Sequence, residues 1–110
     1  MFGRLSLVVS ISLIAVGNSF AADLDTNAAE ALVKKSGCLK CHSVTQKKEG
    51  PAYRSVAEKY KGKGDAEQIL YKHLTTHPQI EVDGVPEKHI SPKTDSDAEI
   101  KNLIHWVLSR

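Results

Sequence analysis

The sequence predicts an all-α fold, and three observations carry that prediction. Four segments between residues 27 and 108 repeat apolar side chains at helical spacing behind residues suited to capping. Nothing in the chain reads as a strand-rich domain or as an internal repeat. Both cysteines fall in one short stretch, "SGCLKCHSV" (36–44), with a histidine directly after the second.

The first segment, 27–36, opens with Asn27 as a cap and Glu30 three residues on. Ala28, Ala31 and Leu32 share a face, and Gly37 ends it. The second, 52–60, follows Pro51, a residue suited to a first helical turn, and spaces Val56, Ala57 and Tyr60 helically. "KGKG" then breaks the chain. The third, 66–77, opens at Asp65 with Gln68 three residues later and closes before Pro78. From 78 to 95, three prolines and a glycine without a sustained period read as an ordered loop. The last helix begins with a Ser96/Glu99 capping box. Ile100, Leu103, Ile104, Val107 and Leu108 form its apolar stripe.

Ahead of these helices, "MFGRLSLVVSISLIAVGNSFAAD" sets Arg4 before an apolar run over residues 5–16, and small residues follow. That is the form of an export signal, residues 1–21, cleaved after Ala21. An uncleaved anchor is the alternative, but the run is short for a spanning helix of about 20 residues. The mature chain, 22–110, is a single small domain expected in the periplasm, with no stable membrane insertion.

Cleavage removes one charged residue, Arg4, from a formal net charge of +2. A near-neutral domain argues against nucleic-acid binding, which wants a strong basic excess. The charge is uneven, however. Residues 22–63 carry nine Lys/Arg against five Asp/Glu, and 64–110 carry five against eight. With aromatics at 5%, the apolar core is modest, so a disulfide, metal or cofactor is expected to supplement it.

Three uses compete for Cys38, Cys41 and His42. A thioredoxin-like dithiol wants a βαβ setting, which is missing, and a disulfide across so short a loop constrains the unfolded chain little. A zinc site wants four ligands, and no second Cys pair or His-x-x-x-His exists. Covalent haem uses every residue: two thiols on one turn add to two vinyl groups, and the next histidine lies over the iron. The macrocycle then also supplies the missing core.

With that motif in place, the chain from about residue 28 to 110 resembles a small bacterial class I c-type cytochrome. "ALVKKSGCLKCHSV" is similar to the family's first helix and haem-binding turn, "GPAYRSVAEKYKGK" to its Gly-Pro segment and short helix, and "DAEIKNLIHWVLSR" to its last helix with a late Trp. The resemblance implies helices wrapped around one covalent haem c, with the first and last helices crossing. It also implies that the Pro51 carbonyl accepts from the second nitrogen of His42, fixing the proximal ligand, and that Trp106 packs near the crossing.

One departure is informative. The family's usual distal ligand is a methionine in the proline-flanked loop before the last helix, and the sole methionine here, Met1, leaves with the signal. Four histidines remain. His105 lies off the stripe of the last helix and reads as solvated, while His73 and His77 share the face of Ala66, Ile69 and Leu70. His89 sits in "GVPEKHISPK", at the position where counting back from the late Trp puts the family's methionine, and is the expected distal ligand. The propionate partners implied elsewhere in the family by a loop Trp have no counterpart; Arg54 and Lys88 are candidates.

These readings imply a monomeric, low-spin, bis-His, one-electron carrier rather than an enzyme. Lys34, Lys35, Lys40, Lys47 and Lys48 surround the attachment segment and would steer an acidic redox partner. Two alternatives stay open: a distal site that binds NO, O2 or a sulfur compound, or a cytochrome subunit of a larger oxidoreductase.

Overall fold

The computed structural model describes residues 23–110. The signal expected over 1–21 lies outside the described residues.

The chain runs α1 (Thr26–Ser36), a 3₁₀ turn (Cys38–Lys40), α2 (Tyr53–Tyr60), α3 (Ala66–Thr75), β1 (Gln79–Val82), β2 (Val85–Lys88) and α4 (Asp97–Leu108). The four expected helices are present, with small differences at their ends. The Asp25 carboxylate, not Asn27, caps α1 by accepting from the Ala28 N–H at 2.9 Å. The helix buries Ala29, Leu32, Val33 and Ser36, a face one residue round from the Ala28/Ala31 face expected. Gly37 ends it at φ 75°, a left-handed conformation that favours glycine. Pro51 lies just outside α2, with Ala52 at the cap position. Asp65 precedes α3 but makes no capping hydrogen bond.

α3 stops two residues short of the expected end. The Thr75 and Thr76 hydroxyls donate back to the carbonyls of Tyr71 and Lys72 at 2.8 and 2.7 Å. Pro78 disfavours a helical conformation at the residue before it, and His77 takes φ 50° instead.

The stretch from 78 to 95, expected as an irregular loop, contains an antiparallel hairpin. Gln79 pairs with Lys88 and Val82 with Val85, around Asp83-Gly84. Both turn residues have positive φ, 50° and 77°, as a two-residue type I′ turn requires. Pro86 is tolerated because alternate residues of such a ladder point their N–H groups away from the partner strand. Glu81, opposite it, is the next pair out from the turn.

The core sits where α4 crosses α1. Ala29, Leu32, Val33, Tyr53, Leu103, Trp106 and Val107 form one buried cluster, with Cys38, Val44, Val56 and Leu74 packed against it. α4 touches α1, α2 and α3. The Asp25 N–H donates to Asn102 Oδ1 at 2.9 Å and Asn102 Nδ2 returns a bond to the Asp25 carbonyl at 2.8 Å. The Lys93 N–H donates to the buried Ser36 hydroxyl at 2.9 Å, anchoring the segment that leads from the hairpin into α4.

Candidate metal centre

Gly37 reverses the chain at the end of α1 and leads directly into the turn carrying Cys38 and Cys41. The N–H groups of Cys41 and His42 both donate to the Cys38 carbonyl, at 3.2 and 3.0 Å, so a single turn presents two thiols and an imidazole. Both thiols are free, so this turn is not closed by a disulfide. Burial pushes the Cys38 thiol upward, and it pushes the Tyr53 hydroxyl up as well.

The His42 ring is held on three sides. Its Nδ1–H donates to the Pro51 carbonyl at 2.7 Å. One face stacks on Tyr53, with centroids 4.9 Å apart and planes 19° from parallel, and Tyr53 in turn meets the Trp106 ring edge-on at 5.6 Å. Gly50 closes in from a third direction: a Cβ there would come within 2.5 Å of His42 Cε1. Backbone bonds from Gly50 to the Cys41 carbonyl (2.7 Å) and from Tyr53 to the Ser43 carbonyl (2.9 Å) clamp the two segments together.

His89 faces this ring from across the cleft. The two imidazole centroids are 6.2 Å apart. Its backbone N–H donates to the Pro78 carbonyl at 2.8 Å, tying it to the mouth of the hairpin. Its Nδ1 is buried without a hydrogen-bond partner. His73, on α3, lies beside it with centroids 4.3 Å apart. Burial, then neighbouring imidazoles, holds both rings below the usual histidine range. His77 is occupied otherwise: its Nδ1–H donates to the His89 carbonyl at 3.2 Å. His105 is remote from the cleft and pairs with Glu67 at 2.5 Å, so it is tethered rather than freely solvated. Leu39, Ile69 and Ile90 stay exposed on segments that carry the cysteines, His73 and His89.

The sequence model of the cytochrome c family matches residues 27–110. The chain belongs to the cytochrome c family. It is 40% identical over 84 residues to cytochrome c-552 of Hydrogenobacter thermophilus, covering 76% of this chain and 83% of that one. Cytochrome c-551 of Pseudomonas aeruginosa is 35% identical over 100 residues, covering 91% and 93%. Among solved structures, the class 1 cytochrome MtoD from Sideroxydans lithotrophicus ES-1 is similar at a TM-score of 0.75. Its identity is 43%, over 79% of this chain and 97% of that one.

Membership brings one covalently bound haem c and an electron-carrying role. The residues at the cleft fit that group. Two imidazoles that each hold a nitrogen about 2 Å from one metal ion, on opposite sides, have ring centres about 6 Å apart, which matches His42 and His89. Free thiols on the adjoining turn and apolar side chains left exposed around it suit an apolar macrocycle. The Gly50 contact is not legible in the sequence: the Gly-Pro pair stands out, but nothing in one dimension shows which ring the missing Cβ spares. Among the described residues, no helix is long and apolar enough to cross a membrane.

Proposed function

We propose that this cytochrome is a periplasmic one-electron carrier, exported by the leader over residues 1–21. Cys38 and Cys41 would hold its haem through thioethers, with His42 as the proximal and His89 as the distal iron ligand. The haem, when bound, supplies a one-electron iron couple. The chain's part is to hold two imidazoles in place, to keep water from the cleft and to leave a route for electrons.

The separation of 6.2 Å between the His42 and His89 rings carries the reading. The Pro51 carbonyl fixes which nitrogen of His42 carries the proton, leaving the Nε2 lone pair free to bind a metal, and raises its basicity. Two imidazole donors would favour low-spin iron in both oxidation states, so little rearrangement would accompany transfer. A methionine thioether raises the potential of such sites, and its replacement by imidazole gives a lower midpoint than in Met/His relatives.

Position 89 is tested by His89→Met in the haem-loaded protein. The expected result is a sulfur-to-iron charge-transfer band and a raised midpoint potential. An unchanged spectrum and potential would remove His89 from the iron. Export is tested separately, by the N-terminal sequence of the periplasmic protein, which should begin at Ala22.

Lys34, Lys35, Lys40, Lys47 and Lys48 are exposed around the attachment turn and support docking to an acidic redox partner. One of them is partly committed, since Lys48 Nζ donates to the Leu39 carbonyl at 2.8 Å. The other four are the better steering charges.

A further inference from the structure

The distal side of the cleft holds more imidazole than one axial position needs. His73 projects from α3 and His89 follows β2, so they reach the same place from independent elements. Their ring centroids are 4.3 Å apart and tilted by 55°. The contrast with the proximal side is sharp. His42 is fixed by the Pro51 carbonyl, by Tyr53 and by the approach of Gly50. His89 lacks a partner on its buried Nδ1, and the exposed His73 ring makes no side-chain hydrogen bond among the described residues. A metal-bound imidazole ordinarily has an outer hydrogen bond that fixes its orientation. The Nδ1 of His89 and the His73 ring have no such partner within the described protein, whereas the Nδ1 of His42 has one.

His77, the other nearby histidine, does not compete. Its Nδ1–H donates to the His89 carbonyl at 3.2 Å, and the Ser91 hydroxyl lies 3.4 Å from its Nε2, so its ring braces backbone and loop.

We propose that His73 is a reserve distal ligand: the chain offers two imidazoles for one axial position, His89 holding it at rest and His73 taking it when His89 is withdrawn. This rests on the bis-imidazole reading above. The exchange loses one iron–nitrogen bond at His89 and gains one at His73, with no electron or proton transferred. A change of χ1 swings an imidazole through a few ångströms, comparable with the separation of the two rings. Withdrawal of His89 has a defined handle, because its backbone is tied to Pro78 at the mouth of an exposed hairpin. The consequence is a carrier that stays low-spin and closed to small ligands while its hairpin moves.

The test uses haem-loaded wild type, His73→Ala, His89→Ala and the double variant, read by electron paramagnetic resonance and by CO binding to the ferrous form. His73→Ala should keep the wild-type low-spin signal. His89→Ala should stay low-spin with shifted g values, reporting a second imidazole at a new ring angle. The double variant should turn high-spin and bind CO. If His89→Ala alone turns high-spin and binds CO as the double variant does, His73 is no reserve, and the bis-imidazole reading stands. If His73→Ala alone turns high-spin, or the double variant stays low-spin, the assignment of His89 fails as well. Should His89→Ala load haem poorly, His89→Leu fills the same space and is read in the same way.

Discussion

Gly50 shows how much a single absent atom can decide. Its ideal Cβ would lie 2.5 Å from His42 Cε1 and 2.8 Å from Nδ1, in the space between the ring and the loop that carries Pro51. Gly50→Ala therefore has to push the imidazole off the Pro51 carbonyl or move the loop. Overpacking of this kind costs about 1–3 kcal/mol. Denaturant unfolding of the holo-protein should show that loss, together with a shift in the absorption of the haem; an unperturbed spectrum would mean that the loop moves and the ring does not. At this scale the Cys38, Cys41 and His42 cluster was legible in the sequence, because the spacing itself encodes the chemistry. The closeness of His73 to His89 was not, since sixteen positions separate them and the hairpin that folds them together went unread.

That hairpin is the element at which local signals conflicted. Pro78, Pro86 and Pro92 argued for irregular chain, while "VDGV" is a strong two-residue turn signal flanked by apolar residues. The turn chemistry won, because Pro86 occupies a ladder position that asks no N–H of it. Gly84 sits at φ 77°, where a β-branched side chain is strained. Gly84→Val should weaken the hairpin by about 1–2 kcal/mol. The sensitive reporter is amide exchange at His89, whose N–H is bonded to the Pro78 carbonyl at the hairpin's mouth. Exchange there should accelerate while protection in α4 is unchanged; equal acceleration in both would show that the hairpin does not open on its own. The helices are more legible, above all α4, whose stripe Ile100, Leu103, Ile104 and Val107 is buried as expected, while Leu108 at its end is half-buried. Their ends were read less well, because the Thr75 and Thr76 hydroxyls and the Asp25 cap act across boundaries that periodicity alone does not mark.

For the whole molecule, α4 is the common partner of the other helices, and polar ties fasten α3 to it. The Tyr71 hydroxyl donates to the Asp97 carboxylate, and His105 pairs with Glu67. The bond to Asp97 raises the Tyr71 hydroxyl above the usual tyrosine value near 10. A group raised in the folded state contributes stability below its unfolded pKa and loses it as pH climbs through the folded value. Tyr71→Phe should therefore lower the thermal midpoint at neutral pH. That deficit should shrink above pH 10, as the wild-type hydroxyl ionises against Asp97. A deficit that holds constant into strongly alkaline solution would show that packing, not the hydrogen bond, makes the difference. The uneven charge is also a property of the whole. Reversing Lys40 and Lys47 to Glu should slow association with an acidic partner roughly tenfold or more at low ionic strength, and added salt should erase the difference. Stopped-flow reduction measured against salt concentration reads both effects.

The reciprocal bonds between Asp25 and Asn102 join positions 77 residues apart in the chain. That clasp spans the greatest sequence separation of any hydrogen bond among the described residues. Loop closure by a logarithmic law costs about 4 kcal/mol of chain entropy at this length. Two hydrogen bonds at the solvent edge return less than that. The clasp therefore cannot hold the chain closed by itself and depends on the packing of Leu32 and Val33 with Leu103 and Trp106: the seam between the two ends of the domain works as a latch that the core keeps shut.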